Sequence, residues 1–411
     1  MHILFLSHYF PPETNAPASR TYEHARRWVQ NDGVRVTVVT NHPNHPNGVL
    51  FPGYRNRWLT IEEHDGISVR RVKTFLAPNA GFLRRTLNYV WFMVAGFIGA
   101  AGVTKPDVVV ATSPQFFCAV AGWVASRWHR CPFVFEVRDL WPDSIVTVGA
   151  MRRGVVIRAL ERLELFLYSQ AEKVVVVTDA FRENLLKRGV PAEKIAVIKN
   201  GVDLNFFRPR PKPAMLGQEL GLEGRFVVSY IGTLGMAHAV DRIVEVADLL
   251  RAEQDLMFVL VGDGAERKRV ENMVREKRLT NVRVLPGVSK ESVCDYYAVS
   301  DLGLVTLRNK ELFKTVLPSK VFEWMAMSRP ILCAVQGECR DLLSGAGVAV
   351  FVEPEDVKGM AEAILRLKQD RTLMIRMGEL GRAFVGKHFD RRCLALDYLR
   401  LLESVVEASR Q

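Results

Sequence analysis

Cysteine is scarce and unpaired in this sequence: Cys118, Cys131, Cys294, Cys333, Cys339 and Cys393 are the six in 411 residues, and none forms a Cys-x-x-Cys pair. That excludes a disulfide scaffold and predicts buried apolar thiols in a reducing compartment. Glycine (29), proline (19) and aromatic content (9%) are all modest, which excludes collagenous, disordered and low-complexity chains. No repeat with a period of 20–50 residues occurs, so solenoids and propellers are excluded as well. Gly-x-Ser-x-Gly, the P-loop and His-Glu-x-x-His are absent, which removes the commonest hydrolase and NTPase chemistries. The stretch Met1–Ser7 has no basic flank and reads as a buried first strand rather than a signal peptide, predicting a cytoplasmic protein.

What is present is a strand-like apolar run followed by a helix-length segment, over and over. The first half offers His2–Ser7, Arg35–Thr40, Ile67–Thr74, Asp107–Thr112, Phe133–Val137, Lys173–Thr178 and Ile195–Ile198. The second offers Phe226–Ile231, Met257–Val261, Val282–Leu285, Leu302–Leu307, Pro330–Ala334 and Val348–Val352. Several are continuous Val/Ile/Leu/Phe runs, as parallel strands covered by helices on both faces require. Two series imply two doubly wound α/β domains, a count that 411 residues also favour. The proline-rich stretch Phe207–Pro213 predicts the break, giving residues 1–205, a linker at 206–222, residues 223–385 and a final segment 386–411 with an amphipathic helix over Arg391–Glu407. In such sheets ligands bind beyond the carboxyl ends of the strands, and between two domains the cleft is the natural site.

Charge is unevenly spread. Residues 1–220 hold 28 Lys and Arg against 18 Asp and Glu, and residues 221–411 hold 28 against 27. A basic excess confined to one half suits an anionic surface or substrate. Tyr89–Val103, fifteen residues without a charge, is too short to span a bilayer, which needs about 20. It reads as a core helix, or as one whose aromatic residues meet the lipid interface while Arg84 and Arg85 meet phosphates. Arg55, Arg57, Arg70, Arg71 and Lys73 favour the second reading.

The chemistry-bearing loops follow strands. In Lys314–Glu323, Pro318 and Ser319 mark a helix start whose free N–H groups, with Lys314 and Lys320, suit a diphosphate, and Glu323 lies one turn in, within reach of a sugar hydroxyl pair. An ordinary capped helix with a solvated glutamate accounts for the same residues. Gly232 and Gly235 in Tyr230–His238, and Gly262 and Gly264 after the next strand, permit close backbone approach or make plain turns. Phe135–Asp143 sets Glu136, Arg138, Asp139 and Asp143 behind a buried strand, as functional groups or as an internal Arg138–Asp139 or Arg138–Asp143 pair. Pro11–Pro17, with Glu13, Asn15 and Ala16, precedes a helix and could present donors to an anion. His42 and His45 have His-x-x-His spacing but no further ligand, and read as a rigid polar loop.

Lys314–Glu323, Tyr230–His238 and Phe135–Asp143 together resemble the retaining glycosyltransferases of family 4, and within them the bacterial L-fucosamine-type transferases of O-antigen and capsule polysaccharide synthesis. The resemblance covers essentially the whole chain. It implies the GT-B fold: two Rossmann-like doubly wound domains facing a cleft, acceptor site in the first, nucleotide-sugar site in the second, and final helices that return to the first. It places Glu323 on the ribose hydroxyls, Thr315, Val316, Leu317, Pro318 and Ser319 along the diphosphate and donor sugar, Gly232 and Gly235 at the diphosphate, Val288 at the base, and Asp139 near the donor sugar. Four departures stand out: Thr315 replaces a glutamate, Thr233 and His238 replace an arginine and a lysine, Arg138 replaces a histidine, and Asn15-Ala16 replaces a glycine pair. The branch shares several of them, so they imply a different donor or acceptor, with Lys314, Lys320 or Arg308 supplying the displaced positive charge. The resemblance implies no metal or other cofactor, an amino or deoxyamino sugar on UDP, a lipid-linked sugar diphosphate as acceptor, peripheral attachment to the inner face of the cytoplasmic membrane, and no nucleic acid. A nucleotide-sugar epimerase of the same fold and a non-catalytic membrane-binding protein are the competing readings.

Overall fold

In a computed structural model, which describes residues 1–77, 82–113, 115–147 and 154–411, the apolar runs assemble into two sheets. The first has eight strands: β1 (His2–Leu6), β2 (Arg35–Asn41), β3 (Leu59–His64), β4 (Ile67–Val72), β5 (Val108–Thr112), β6 (Phe133–Val137), β7 (Lys173–Val176) and β8 (Ile195–Val197), in the order β3-β4-β2-β1-β5-β6-β7-β8. The second has six: β9 (Phe226–Ile231), β10 (Leu256–Val261), β11 (Val282–Leu285), β12 (Leu302–Thr306), β13 (Ile331–Ala334) and β14 (Ala349–Phe351), in the order β11-β10-β9-β12-β13-β14. All pairings are parallel except β3 on β4. These are two Rossmann-like α/β domains.

Sequence patterning missed β3. Its residues, Leu-Thr-Ile-Glu-Glu-His, are half-buried or exposed throughout, as an edge strand with one free side tolerates, so no continuous apolar run announces it. The β4 run stops at Val72 rather than Thr74, because Thr74 leaves the ladder: its N–H donates to Asn56 Oδ1 (2.8 Å) and its hydroxyl to Asn41 Oδ1 (3.1 Å).

Contacts divide the chain into one unit of Met1–Asn200 with Arg391–Gln411 and another of Gly201–Asp390. The proline-rich stretch expected as a linker falls within the second of these units. Phe207 is buried against Tyr297, Leu220 and Leu222 join the same core, and residues Ala214–Leu220 form a helix. Prolines bar regular pairing there, and between buried Phe207 and that helix Arg208, Pro209, Pro211 and Lys212 are exposed.

Helices used below are α1 (Ala16–Trp28), α2 (Phe82–Ala101), α3 (Phe116–His129), α4 (Lys290–Val299), α5 (Lys320–Ala326) and α6 (Arg391–Arg410). The last packs on the first, with Trp28 Nε1 donating to Ala395 O (2.8 Å) and Tyr398, Leu402 and Val405 completing the core of the first sheet. α2 lies across β2 and β4 so closely that a Cβ on Gly99 would sit 2.5 Å from Val72 Cγ1.

One buried ion pair sits under the carboxyl end of the first sheet. Glu136 on β6 is fully buried; it accepts from Arg20 Nε (2.9 Å) and Thr112 Oγ1 (2.6 Å), and Arg20 also donates to Ile198 O and Lys199 O. Burial acts to raise the Glu136 carboxyl, but Arg20 and Arg138, with the hydrogen bonds, outweigh it and hold it below its ordinary value. Glu136→Ala is expected to destabilise the fold by about 3–5 kcal/mol, since it strands a buried guanidinium, whereas Arg20→Met with Glu136→Leu recovers most of that loss. Urea unfolding checks this; a single mutant within about 1 kcal/mol of wild type contradicts the assignment.

Candidate functional site

The second unit gathers its candidate residues at the carboxyl ends of β9, β10 and β12. The loop after β9 is pinned from several directions. Gly232 N–H donates to Val261 O (2.9 Å), Leu234 N–H to Asp263 O (2.9 Å), Tyr230 Oη to Thr233 O (2.7 Å) and Thr306 Oγ1 to His238 O (2.6 Å). Gly262 and Gly264 serve this loop through packing: a Cβ on Gly262 would lie 1.9 Å from Gly232 O, and one on Gly264 2.3 Å from Leu234 O. Both also hold positive φ. These two glycines let one loop lie on the other.

The Lys314–Glu323 segment supplies the charged groups. Residues Glu311–Thr315 form a 3-10 turn, closed by Thr315 Oγ1 donating to Leu312 O (2.7 Å), and Leu317 is buried beyond it. Ser319 occupies the cap position of α5 but makes no side-chain capping bond. Glu323, half-buried on the next turn, accepts a hydrogen bond from Tyr297 Oη on α4. Burial lifts its carboxyl above the ordinary value, against the opposing influence of Tyr297 and Lys320. Lys320 is buried, and its Nζ has no hydrogen-bond partner. Val288, after β11, is half-buried against the core.

The structure separates the three cations. Arg308 is committed elsewhere, to Asp241 (2.7 Å) and Glu355 (2.9 Å), which corrects its place among the candidates for the displaced charge. Lys314 is solvated and pairs with Glu311 (2.6 Å). Lys320 reaches the strand end of the β9 loop, where a Cβ on Gly232 would sit 3.0 Å from its Nζ, while Arg308 Nε donates to Met236 O (3.4 Å) at the loop's far end.

In the first unit, Arg138, Asn15 and Ala16 come together. Arg138 N–H donates to Ser113 Oγ (2.7 Å) and Nη2 to Ala16 O (3.1 Å), while Nε and Nη1 are shielded and without partners. Among the described residues, the Arg138 guanidinium has Ala16 O as its hydrogen-bond partner rather than Asp139 or Asp143. Burial lowers the Arg138 guanidinium to about 10 despite nearby Glu136. Asn15 caps α1 through Oδ1 to Ala18 N (2.9 Å), and its Nδ2 is buried without a partner. Asp139 is lifted above its ordinary value by burial, opposed by the Ser144 hydrogen bond. Asp143 opens the short helix Asp143–Thr147. Glu13 is buried and accepts from Asn44 N (3.0 Å) and His45 N (2.9 Å); burial pushes it up to about 7. The His-x-x-His loop is organised by these bonds and by His42 Nε2 against Arg57 O (3.1 Å). Among the described residues no three His, Cys, Asp or Glu side chains gather as a metal site.

Two family models match this frame: the "Glycosyl transferase 4-like domain" over residues 16–201 and "Glycosyl transferases group 1" over residues 225–370. The chain belongs to the GT-B glycosyltransferases. The transferase is 24% identical over 375 residues to the putative colanic acid biosynthesis glycosyl transferase WcaI of Escherichia coli K12, covering 89% of this chain and 91% of that one. It is 26% identical over 356 residues to a GDP-mannose-dependent alpha-mannosyltransferase of Mycolicibacterium smegmatis, covering 86% and 84%. Its fold matches that of Anabaena HepE in complex with UDP, with a TM-score of 0.72 at 18% identity over 98% of this chain and 100% of that one.

Sequence reasoning did not pick out Tyr297 or Tyr230 in this transferase. Each is a hydroxyl-bearing ring that folding buries fully; Tyr230 stands in the apolar run of β9, and Tyr297 follows Asp295 and Tyr296 with nothing in the local sequence to mark it.

Proposed function

We propose that this glycosyltransferase moves a sugar, amino or deoxyamino, from a nucleotide diphosphate to a lipid-linked sugar diphosphate with retention of anomeric configuration, in cell-surface polysaccharide synthesis. The observation that carries the donor half is Lys320, a buried amine without a hydrogen-bond partner beside Gly232, with Glu323 one turn further along the same helix. In this reading the amine faces the diphosphate and Glu323 the ribose hydroxyls, while Gly232, Gly235, Thr315–Ser319 and Val288 line the rest. The first unit takes the acceptor, with Asp139, Arg138, Glu13, Asn15 and Asp143 on that side. The main demand is stabilisation of the departing diphosphate by fixed donors and cations, and no metal is invoked. WcaI and HepE support the polysaccharide and UDP parts; the GDP-dependent mannosyltransferase is the counterweight on the nucleotide.

Thermal shifts against UDP, GDP, ADP and their sugars test the donor reading, since ligand at 100 times its Kd adds about 2.7 kcal/mol of stability. A shift with one nucleotide series is expected, and NMR of the product made from that donor then reports the anomer. No shift with any series defeats the reading.

A membrane-bound acceptor is supported by the first unit's surface. α2 buries Phe92 and Ala95 but presents Leu87, Val94 (52% exposed) and Ile98 (58%) to solvent, with Arg84 exposed near its start. The Arg85 side chain lies outside the described residues. Trp58, 62% exposed, packs at a tilt against Trp91 with Lys73 Nζ 4.7 Å over its own ring. No described helix is long and apolar enough to cross a membrane. The protein is expected to float with phosphatidylglycerol vesicles at low salt, and less so at high salt or as Trp58→Ser/Ile98→Ser. Protein left at the bottom of the gradient at low salt contradicts a membrane-bound acceptor.

A further inference from the structure

Lys320 is held in a state that a permanently charged ammonium does not tolerate. Only 9% of its surface is exposed, and its Nζ has no acceptor. A buried charge without hydrogen bonds or a counter-ion costs several kcal/mol, so such a group either stays neutral or waits for an anion.

The groups packed around it are few. From β9, the Tyr230 ring lies under Nζ at 3.5 Å, with its hydroxyl committed to Thr233 O. From the turn Met236–His238, His238 has a buried Nδ1 without a partner and is depressed to about 3 by burial and then by Lys320. From α5 itself comes Glu323, which accepts from Tyr297 on α4; Lys290, also on α4, acts on Glu323 as well. Among the described residues no carboxylate closes an ion pair with Lys320. Glu323 favours the charged amine, but burial dominates and brings Lys320 down to about 7. On its remaining side, Nζ borders the backbone of Gly232, where a Cβ would sit only 3.0 Å from it.

We propose, resting on the donor-site reading above, that a nucleoside diphosphate entering beside Gly232 turns Lys320 from a free amine into an ammonium, so that nucleotide binding takes up a proton from solvent. One proton passes from buffer to Nζ, and no bond of the nucleotide breaks. The substrate thereby creates the cation that faces its own leaving group, and the charge relaxes when the nucleoside diphosphate departs. Above about pH 7 the empty site is thus spared most of an unpaired charge. It follows that Kd is flat below about pH 7 and rises about tenfold for each pH unit above it.

Calorimetry of UDP and GDP in phosphate and in Tris, whose ionisation enthalpies differ, reads the proton directly. The terminal phosphate ionises at about 6, so near pH 8 the nucleotide has no proton of its own to exchange. Uptake is expected at about 0.9 proton per nucleotide at pH 8 and about 0.5 at pH 7. Lys320→Arg, charged at every pH used, is expected to bind without uptake. Lys320→Met is expected to lose uptake and about 10–100-fold in affinity, as removing a charged hydrogen bond does. Wild-type binding without uptake overturns the proposal. So does uptake that persists in Lys320→Met, which assigns the proton to His238. If Lys320→Met fails to fold, wild type and Lys320→Arg still decide. Absence of binding by both nucleotides at pH 7 instead defeats the donor-site reading, and the inference falls with it.

Discussion

Replacing Glu323 by alanine is expected to abolish most donor affinity while leaving the turnover of saturated enzyme within a few-fold of wild type. A carboxylate that accepts from two sugar hydroxyls makes two charge-assisted hydrogen bonds, and losing them costs about 3 kcal/mol, a factor of about 150 in Kd. The same substitution leaves the buried Tyr297 hydroxyl without its acceptor, so a lower melting temperature accompanies it. Glu323→Gln separates the two effects: it retains an acceptor for Tyr297 and the packing, yet lacks the charge. Calorimetric titration of the shifting nucleotide, with KM and kcat for its sugar, is the measurement. Unchanged Kd in both variants removes Glu323 from the donor site.

Asp139→Asn is expected to behave in the opposite way, with kcat down by about 100-fold or more and donor Kd nearly unchanged. Charge placed near a centre that becomes positive as the diphosphate leaves acts in the transition state rather than in the ground state, and one such electrostatic contact is typically worth about 3 kcal/mol. Asparagine can keep the Ser144 hydrogen bond, so loss of folding does not cloud the comparison. The pH profile carries a second signature. Because burial lifts Asp139 above its ordinary value, and its ionised form is the active one, the rate falls on the acid side at a pH higher than an exposed aspartate would give. A loss of donor affinity equal to that of Glu323→Ala contradicts this division of labour.

The reasons these residues could be picked out in advance, and the reasons others could not, are physical. Phe133–Val137 and Phe226–Ile231 are strands over the same bounds that their largely apolar runs predict, because a strand covered on both faces needs such a run; the edge strand Val282–Leu285 keeps its bounds too, although only Val282 is buried. The loops bearing Arg138 and Asp139, Gly232 and Gly262 follow such strands directly, so local pattern alone located them.

What depends on distant partners was not legible. Glu136 stands in an expected buried strand, but its partner Arg20, 116 residues away, resembles any solvated charge until the fold buries the two together. Lys314, Lys320 and Arg308 are equivalent candidates along the chain; only Asp241 and Glu355, 67 and 47 residues from Arg308, remove it from contention, and only the buried ring of Tyr230 and the bare backbone of Gly232 single out Lys320. Gly262 and Gly264 read as places for a ligand, and folding fills them with the neighbouring loop. Periodicity and turn chemistry act over a few residues, so the chain writes them openly. Burial and charge pairing are sums over neighbours that only folding brings together, and they decide which of several similar side chains is left free to act.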